Sequence, residues 1–320
     1  MTALCTALLP GITPPASAGD DSHRQADLAY VTNVLADTVS VIDTRNNRVV
    51  GSIAVGDRPF DVAVDVPRAR AYVTNANDDN VSVINTNANT VVGTIPVGDS
   101  PFGVAVDETR ARAYVANDFD NTVTVINTNT NTVVGSPIPV GNNPNGVAVD
   151  PARARAYVAN ESDNTVTAIN TNTNTVVGTI PVGNEPEEVA VDTTRARAYV
   201  ANNNSDNVSV IDTTADQTIG SPIPVGNGPF AVAVDPRNPR AYVTNANDDT
   251  VSVINTITNQ VVGSPIPVGN NPNGVAVDPR RDRAYVANFS DDTVSVINTG
   301  NNRVVRTINV GDGPVGIAAF

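Results

Sequence analysis

The chain has 320 residues, with 33 acidic side chains against 19 basic ones, all Arg, for a formal net charge of −14. Trp is absent, and Cys5, His23 and Met1 are each the only residue of their kind. A His/Cys metal centre, a His-ligated haem and a Ser–His or Cys–His nucleophile therefore lack their parts, and any chemistry falls to carboxylates and Arg.

Residues 1–22 stand apart from the rest of the chain. Thr2 to Leu9 is short and apolar, and Ala16-Ser17-Ala18 before Gly19 has the small-residue pattern of a signal-peptidase site, although no positive n-region precedes it. The segment reads as a signal-peptide-like leader or a disordered tail, and the expected localisation is secreted, periplasmic or cell-surface. No run reaches the ~20 apolar residues of a membrane helix.

From residue 23 onward the sequence is periodic. All seven tyrosines (Tyr30, Tyr72, Tyr114, Tyr157, Tyr199, Tyr242 and Tyr285) follow Ala and precede Val-Thr-Asn or Val-Ala-Asn. Their spacings are 42, 42, 43, 42, 43 and 43. A loop proline repeats in step at Pro59, Pro101, Pro144, Pro186, Pro229, Pro272 and Pro314. Each period carries four short β-branched segments separated by Asp/Asn/Gly/Pro turns, as in Val62-Ala63-Val64, Ala71 to Thr74, Val81 to Ile84 and Val91 to Ile95. Four strands per repeat of this length make a propeller blade, and no ten-residue amphipathic run supports a helical repeat. The predicted fold is all-β, a seven-bladed β-propeller of four-stranded antiparallel blades spanning 23–320.

The Tyr-Val-Thr-Asn motif, the Val-Ser-Val-Ile-Asn/Asp-Thr strand and the Pro-x-Gly-Val-Ala-Val-Asp strand resemble YVTN-type (YncE-like) β-propeller repeats. That resemblance implies a surface-layer-associated or exported protein. It leaves function open, because propellers host binding, scaffolding and catalysis alike.

The first repeat begins at its Tyr strand and lacks the strand that should precede it, whereas the chain ends on that strand, Pro314 to Phe320. The first blade is thus expected to combine one C-terminal strand with three N-terminal ones, closing the ring and removing its inner edges. Asp ends the first strand of each complete repeat (Asp65, Asp107, Asp150, Asp192, Asp235, Asp278), and Arg opens the next (Arg70, Arg112, Arg155, Arg197, Arg240, Arg283). These are expected to pair across the hairpin. In the composite blade Phe320 and Leu28 replace both charges. The longer repeats carry an insertion at Gly135-Ser136-Pro137, recurring at Pro222 and Pro265, which falls in the outermost strand.

Deviation among near-identical repeats is the internal clue to a site. After the loop proline stand Phe60, Phe102, Asn145, Glu187, Phe230, Asn273 and Val315. Such a rim could bind a protein, glycan or small ligand, or each Phe could only lid its own inter-blade core. Asn184-Glu185-Pro186-Glu187-Glu188 is the sharpest departure, with Glu185, Glu187 and Glu188 either a solvated patch or a set able to attract a cation or shift one another's pKa. Asp57-Arg58-Pro59-Phe60-Asp61 is the other odd loop, its charges expected to pair locally. The Asp/Asn-rich loops, such as Asn77 to Asn80, suit turn closure better than calcium, since none has EF-hand spacing. Arg pairs such as Arg68/Arg70 ring the opposite face, where neighbouring Asp residues offset them and no aromatics interleave, so nucleic acid is disfavoured.

The expected function is a non-catalytic binding or interaction scaffold using the loop-rich face. The chain is expected to be a monomer, with no cofactor, no metal and no catalytic residues. The alternatives are a lactonase-like or lyase-like propeller enzyme using rim carboxylates and, less favoured, a DNA-binding YncE-like propeller.

Overall fold

The computed structural model describes residues 27–320. Residues 1–26, with Cys5, the Ala16-Ser17-Ala18 site of the 1–22 segment and His23, lie outside the described residues.

Seven antiparallel sheets form a ring of blades. In blade 2 the strands Pro59–Asp65, Arg70–Asn75, Asn80–Asn85 and Thr90–Pro96 run in order from the axis outward, and blades 3 to 7 repeat this pattern. Blade 1 is closed as the sequence requires: Pro314–Ala319 pairs with Leu28–Asn33 on the inside of Thr38–Asp43 and Arg48–Ala54. The Phe320 N–H donates to the Leu28 carbonyl, and the Phe320 ring stacks on Tyr30 at 5.8 Å. The carboxyl-terminal aromatic thus fills the place that a charged pair takes elsewhere. Among the described residues the only helical elements are three single turns of 3-10 helix.

The core lies between blades. Each Tyr is fully buried in a cluster built by two neighbours; Tyr72 packs with Val81, Val83 and Ile95 of its own blade and with Val104, Ala113, Val115 and Ile126 of the next. Its hydroxyl donates to Asn131 Oδ1 at 2.8 Å, latching blade 2 to blade 3. A buried Tyr needs such a partner, which explains why this position is Tyr and not Phe. The Asn that ends the motif also has a defined task. Asn75 Nδ2 donates to Asn80 Oδ1 and Ser82 Oγ, while its Oδ1 accepts the Gly56 N–H at 3.2 Å. A Cβ on Gly56 would lie 2.6 Å from Asn75 Cγ, so the inter-blade loop needs glycine there.

One expectation is corrected. Asp65 and Arg70 are register partners on the backbone, but the ion pair goes to the Arg two residues earlier, Arg68 Nη1 to Asp65 Oδ1 at 3.0 Å. Asp107–Arg110, Asp150–Arg153, Asp192–Arg195 and Asp278–Arg281 repeat it. The cause is turn geometry: in blade 3 the Asp107 carboxylate also accepts the Arg110 N–H, which draws the i+3 guanidinium over it. Arg70 instead donates to the carbonyls of Ala69 and Arg68. The insertion falls in the outermost strand, as expected. In blades 3, 5 and 6 it splits that strand into two-residue pieces, Thr132–Val133 and Ile138–Pro139 in blade 3, around Gly135 at φ +71.

Candidate functional site

Every complete inner strand has the same irregularity. In blade 2 the ladder pairs Pro59 with Asn75 and then Val62 with Val73, so Phe60 and Asp61 together face one residue, Thr74. Such a bulge re-aims side chains out of the sheet. The first bulged residue forms the rim of the loop-bearing face. The second points at the axis and gives the series Asp61, Gly103, Gly146, Glu188, Ala231, Gly274 and Gly316. Where the repeat reads Val-Thr-Asn, the Thr secures the bulge: Thr74 Oγ1 accepts the Asp61 N–H at 3.0 Å and donates to the Phe102 carbonyl of the next blade at 2.6 Å. Thr32 and Thr244 serve the rims at Phe60 and Asn273 in the same way.

The axial ring of small residues encloses a cavity of about 190 Å³, below the ~300–1,000 Å³ of a drug-sized pocket and suited to one extended side chain. It is lined by Asp61, Glu187 and Glu188 together with Phe60, Asn145, Phe230 and the axial Gly and Val positions. A second hollow of about 460 Å³ adjoins it on the arc from blade 6 through blade 1 to blade 2. Val34, Leu35, Phe60, Phe230, Phe289 and Val315 give it an apolar wall, and three of these, Phe60, Phe230 and Val315, belong to both spaces.

The carboxylates are displaced from ordinary behaviour. Asp61 accepts the N–H groups of Val62 and Val104 at 2.7 and 2.9 Å, yet burial outweighs these bonds and pushes it up to about 6. Glu188 is raised well above the usual range by burial and by the charge of Asp61. The glycines make room for this pair: a Cβ on Gly146 would lie 2.6 Å from Glu188 Oε1, and one on Gly316 would lie 2.9 Å from Asp61 Oδ1. Glu187 accepts Asn145 Nδ2 at 2.5 Å. Burial, then the charges of Glu161, Glu185 and Asp118, raises it to about 8.

The predicted rim residues are thus partly brought together. Phe60, Asn145, Glu187, Glu188 and Phe230 line the axial cavity, and Asn273 lines the apolar hollow. Glu185 stands apart on the outside of the rim, near Glu161 and Asn204. Phe60 and Phe102 do not each cover their own blade interface; they stack on one another at 4.2 Å, with the Arg58 guanidinium 5.7 Å from the Phe102 ring. Phe230 does pack on the core between blades 6 and 7. The expected local pairing in the Asp57–Asp61 loop is corrected: Asp61 turns to the axis because the bulge aims it there. The loop Asx side chains act on backbone, for example Asp78 Oδ2 on the Asp57 N–H and Asp37 Oδ1 on the Arg58 N–H. Among the described residues no group of three or more His, Cys, Asp or Glu side chains is placed to hold a metal ion.

No protein-family model matches this chain, and no curated protein does. Solved structures do. A chain of Kuenenia stuttgartiensis hydrazine synthase matches with a TM-score of 0.77 at 22% identity, covering 86% of this chain and 93% of that one. A functionally unknown protein from Desulfotomaculum acetoxidans matches with a TM-score of 0.80 at 16% identity, covering 91% and 98%. Apo AztD from Citrobacter koseri matches with a TM-score of 0.68 at 13% identity, covering 91% and 96%. At these identities the likeness is one of fold, a seven-bladed propeller nearly coextensive with its neighbours. No helix among the described residues is long and apolar enough to cross a membrane.

Proposed function

We propose that this protein is an exported or cell-surface YVTN-type propeller that acts as a non-catalytic binding scaffold through its loop-bearing face. One observation carries the reading: the bulged pair is the place where the repeats diverge, and in the ring it converges on a mouth with an apolar arc and a set of displaced carboxylates. Elsewhere the repeats are spent on latches and turns. The signal-peptidase-like pattern at Ala16-Ser17-Ala18 and the resemblance of the repeats support export. The test is an array of peptides and glycans probed with three forms of the full chain: unaltered, a rim variant (Phe60→Ala with Phe230→Ala) and an opposite-face variant (Arg70→Ala). Binding lost only in the rim variant is the expected result, and binding lost only in the opposite-face variant overturns it.

A second reading, the lactonase-like enzyme, is favoured by one feature, a Glu187 carboxyl that titrates near neutrality at a cavity wall. Turnover of lactones that disappears in Glu187→Gln would establish it in place of the first.

A further inference from the structure

The mouth is strongly one-signed. The residues lining the axial cavity, the apolar hollow and the neighbouring hollow at Glu161 and Glu185 include seven carboxylates (Asp37, Asp57, Asp61, Glu161, Glu185, Glu187 and Glu188) and one cationic side chain, Arg58. Arg58 already lies against the Phe102 ring. An apolar hollow beside a narrow acidic cavity, with Phe60, Phe230 and Val315 common to both, calls for a ligand with two unlike ends. One is a slender cation and the other an aliphatic or aromatic group next to it.

Resting on the reading that this face binds, we infer that its occupant is a basic, apolar-rich peptide segment of a partner protein, with a Lys or Arg side chain entering the axial cavity and a neighbouring apolar side chain seated between Leu35, Phe230 and Phe289. Charge complementarity commits the site to a cation, and the walls of the larger hollow commit it to a flanking apolar residue. At about 190 Å³ the cavity has room for a side chain and not for a folded surface.

This occupancy links binding to protons. Glu187 is faced by Glu161, Glu185, Asp118 and Glu188, and the Arg58 guanidinium acts on Asp118. Asp61 faces Glu188 across the same space. Like charges and burial keep part of this set protonated near neutrality. A bound ammonium or guanidinium favours the ionised forms, so the segment binds with release of protons and its affinity rises with pH.

The experiment titrates the full chain into three fluorescein-labelled dodecapeptides, of Lys and Leu, of Glu and Leu, and of Lys and Ser, followed by anisotropy. The Lys/Leu peptide is expected to saturate, to bind at least tenfold more tightly than either control, and to gain roughly tenfold in affinity from pH 6 to pH 8.5. Phe230→Ala and Glu187→Gln should each weaken it severalfold, with Asp61→Asn as the second carboxylate variant if Glu187→Gln does not fold. Asp282→Asn, which removes an exposed charge on the opposite face, should not change it. Equal binding of the Lys/Ser peptide would mean a simple cation site, and an Asp282→Asn effect as large as that of Glu187→Gln would mean only a diffuse field. Either result overturns the inference, as does failure of the Lys/Leu peptide to saturate. Preferred binding of the Glu/Leu peptide that is lost in Phe230→Ala overturns the basic ligand while leaving the loop face as the binding surface. Binding untouched by any rim variant overturns both.

Discussion

Glu187→Gln removes a strongly displaced carboxyl from the cavity wall while keeping an oxygen to accept from Asn145. In the native ring this carboxyl titrates at about 8, against a reference of 4.5 for the unfolded chain. A folded value raised above the unfolded one stabilises the protonated native state. That stability is fully present below pH 4.5 and is lost progressively until pH 8 is passed. At about 1.4 kcal/mol per unit the whole window is at most about 5 kcal/mol, and about 4 kcal/mol of it falls between pH 5 and pH 8.5. Gln has no proton to lose, so the variant should gain on the unaltered protein by that amount as pH rises. For a chain of this length the gain is roughly 6 °C in thermal midpoint. Circular dichroism melts of both proteins at pH 5 and pH 8.5 measure the difference directly, and any pH-independent effect of the amide cancels. Midpoints that stay within about 1 °C of a constant offset would show that Glu187 is hydrated, and the electrostatic picture of the mouth would fail.

Two further outcomes test the scaffold. Truncation after Asp312 deletes the inner strand of blade 1, the Phe320 contact with Tyr30 and the seal between blades 1 and 7. The shortened chain should lose its cooperative thermal transition, and a normal melt would refute closure by the two termini. Arg68→Ala strips the guanidinium whose Nη1 donates to both oxygens of a fully buried Asp65 and should cost about 3–5 kcal/mol in denaturant unfolding. Arg70→Ala, whose guanidinium meets only carbonyls, should cost about 1 kcal/mol or less; the reverse order would restore the cross-hairpin pairing.

The fold was legible because repetition multiplies weak signals. A single Tyr or Pro at a turn says little, whereas seven in step give the blade, and the strand missing from the first repeat locates the closure at Pro314. The site was only half legible. Comparing the residue after each loop proline found Phe60, Asn145, Glu187 and Phe230, which do meet at the mouth. The adjacent column, Asp61 to Gly316, was not read as a set, because strand alternation assigns neighbours to opposite faces, and the bulge cancels that rule locally. A signal was present: Thr replaces Ala in the tyrosine motif at Thr32, Thr74 and Thr244, where the hydroxyl secures a bulge or the rim beside it. The Asp–Arg pairing failed for a similar reason. Backbone register places Asp65 opposite Arg70, but the tight turn, with Ala69 at φ 51, delivers Arg68 to the carboxylate first.

Hydrogen-exchange mass spectrometry of the full chain, with and without saturating Lys/Leu peptide, tests binding at the mouth most directly. Slowed exchange is expected in the segments 57–62, 102–104, 145–147, 185–189 and 229–232, with the outer strands and the opposite-face hairpins unchanged. Protection centred on the outer strands or on those hairpins, with the bulged segments exchanging as in the free protein, would contradict it.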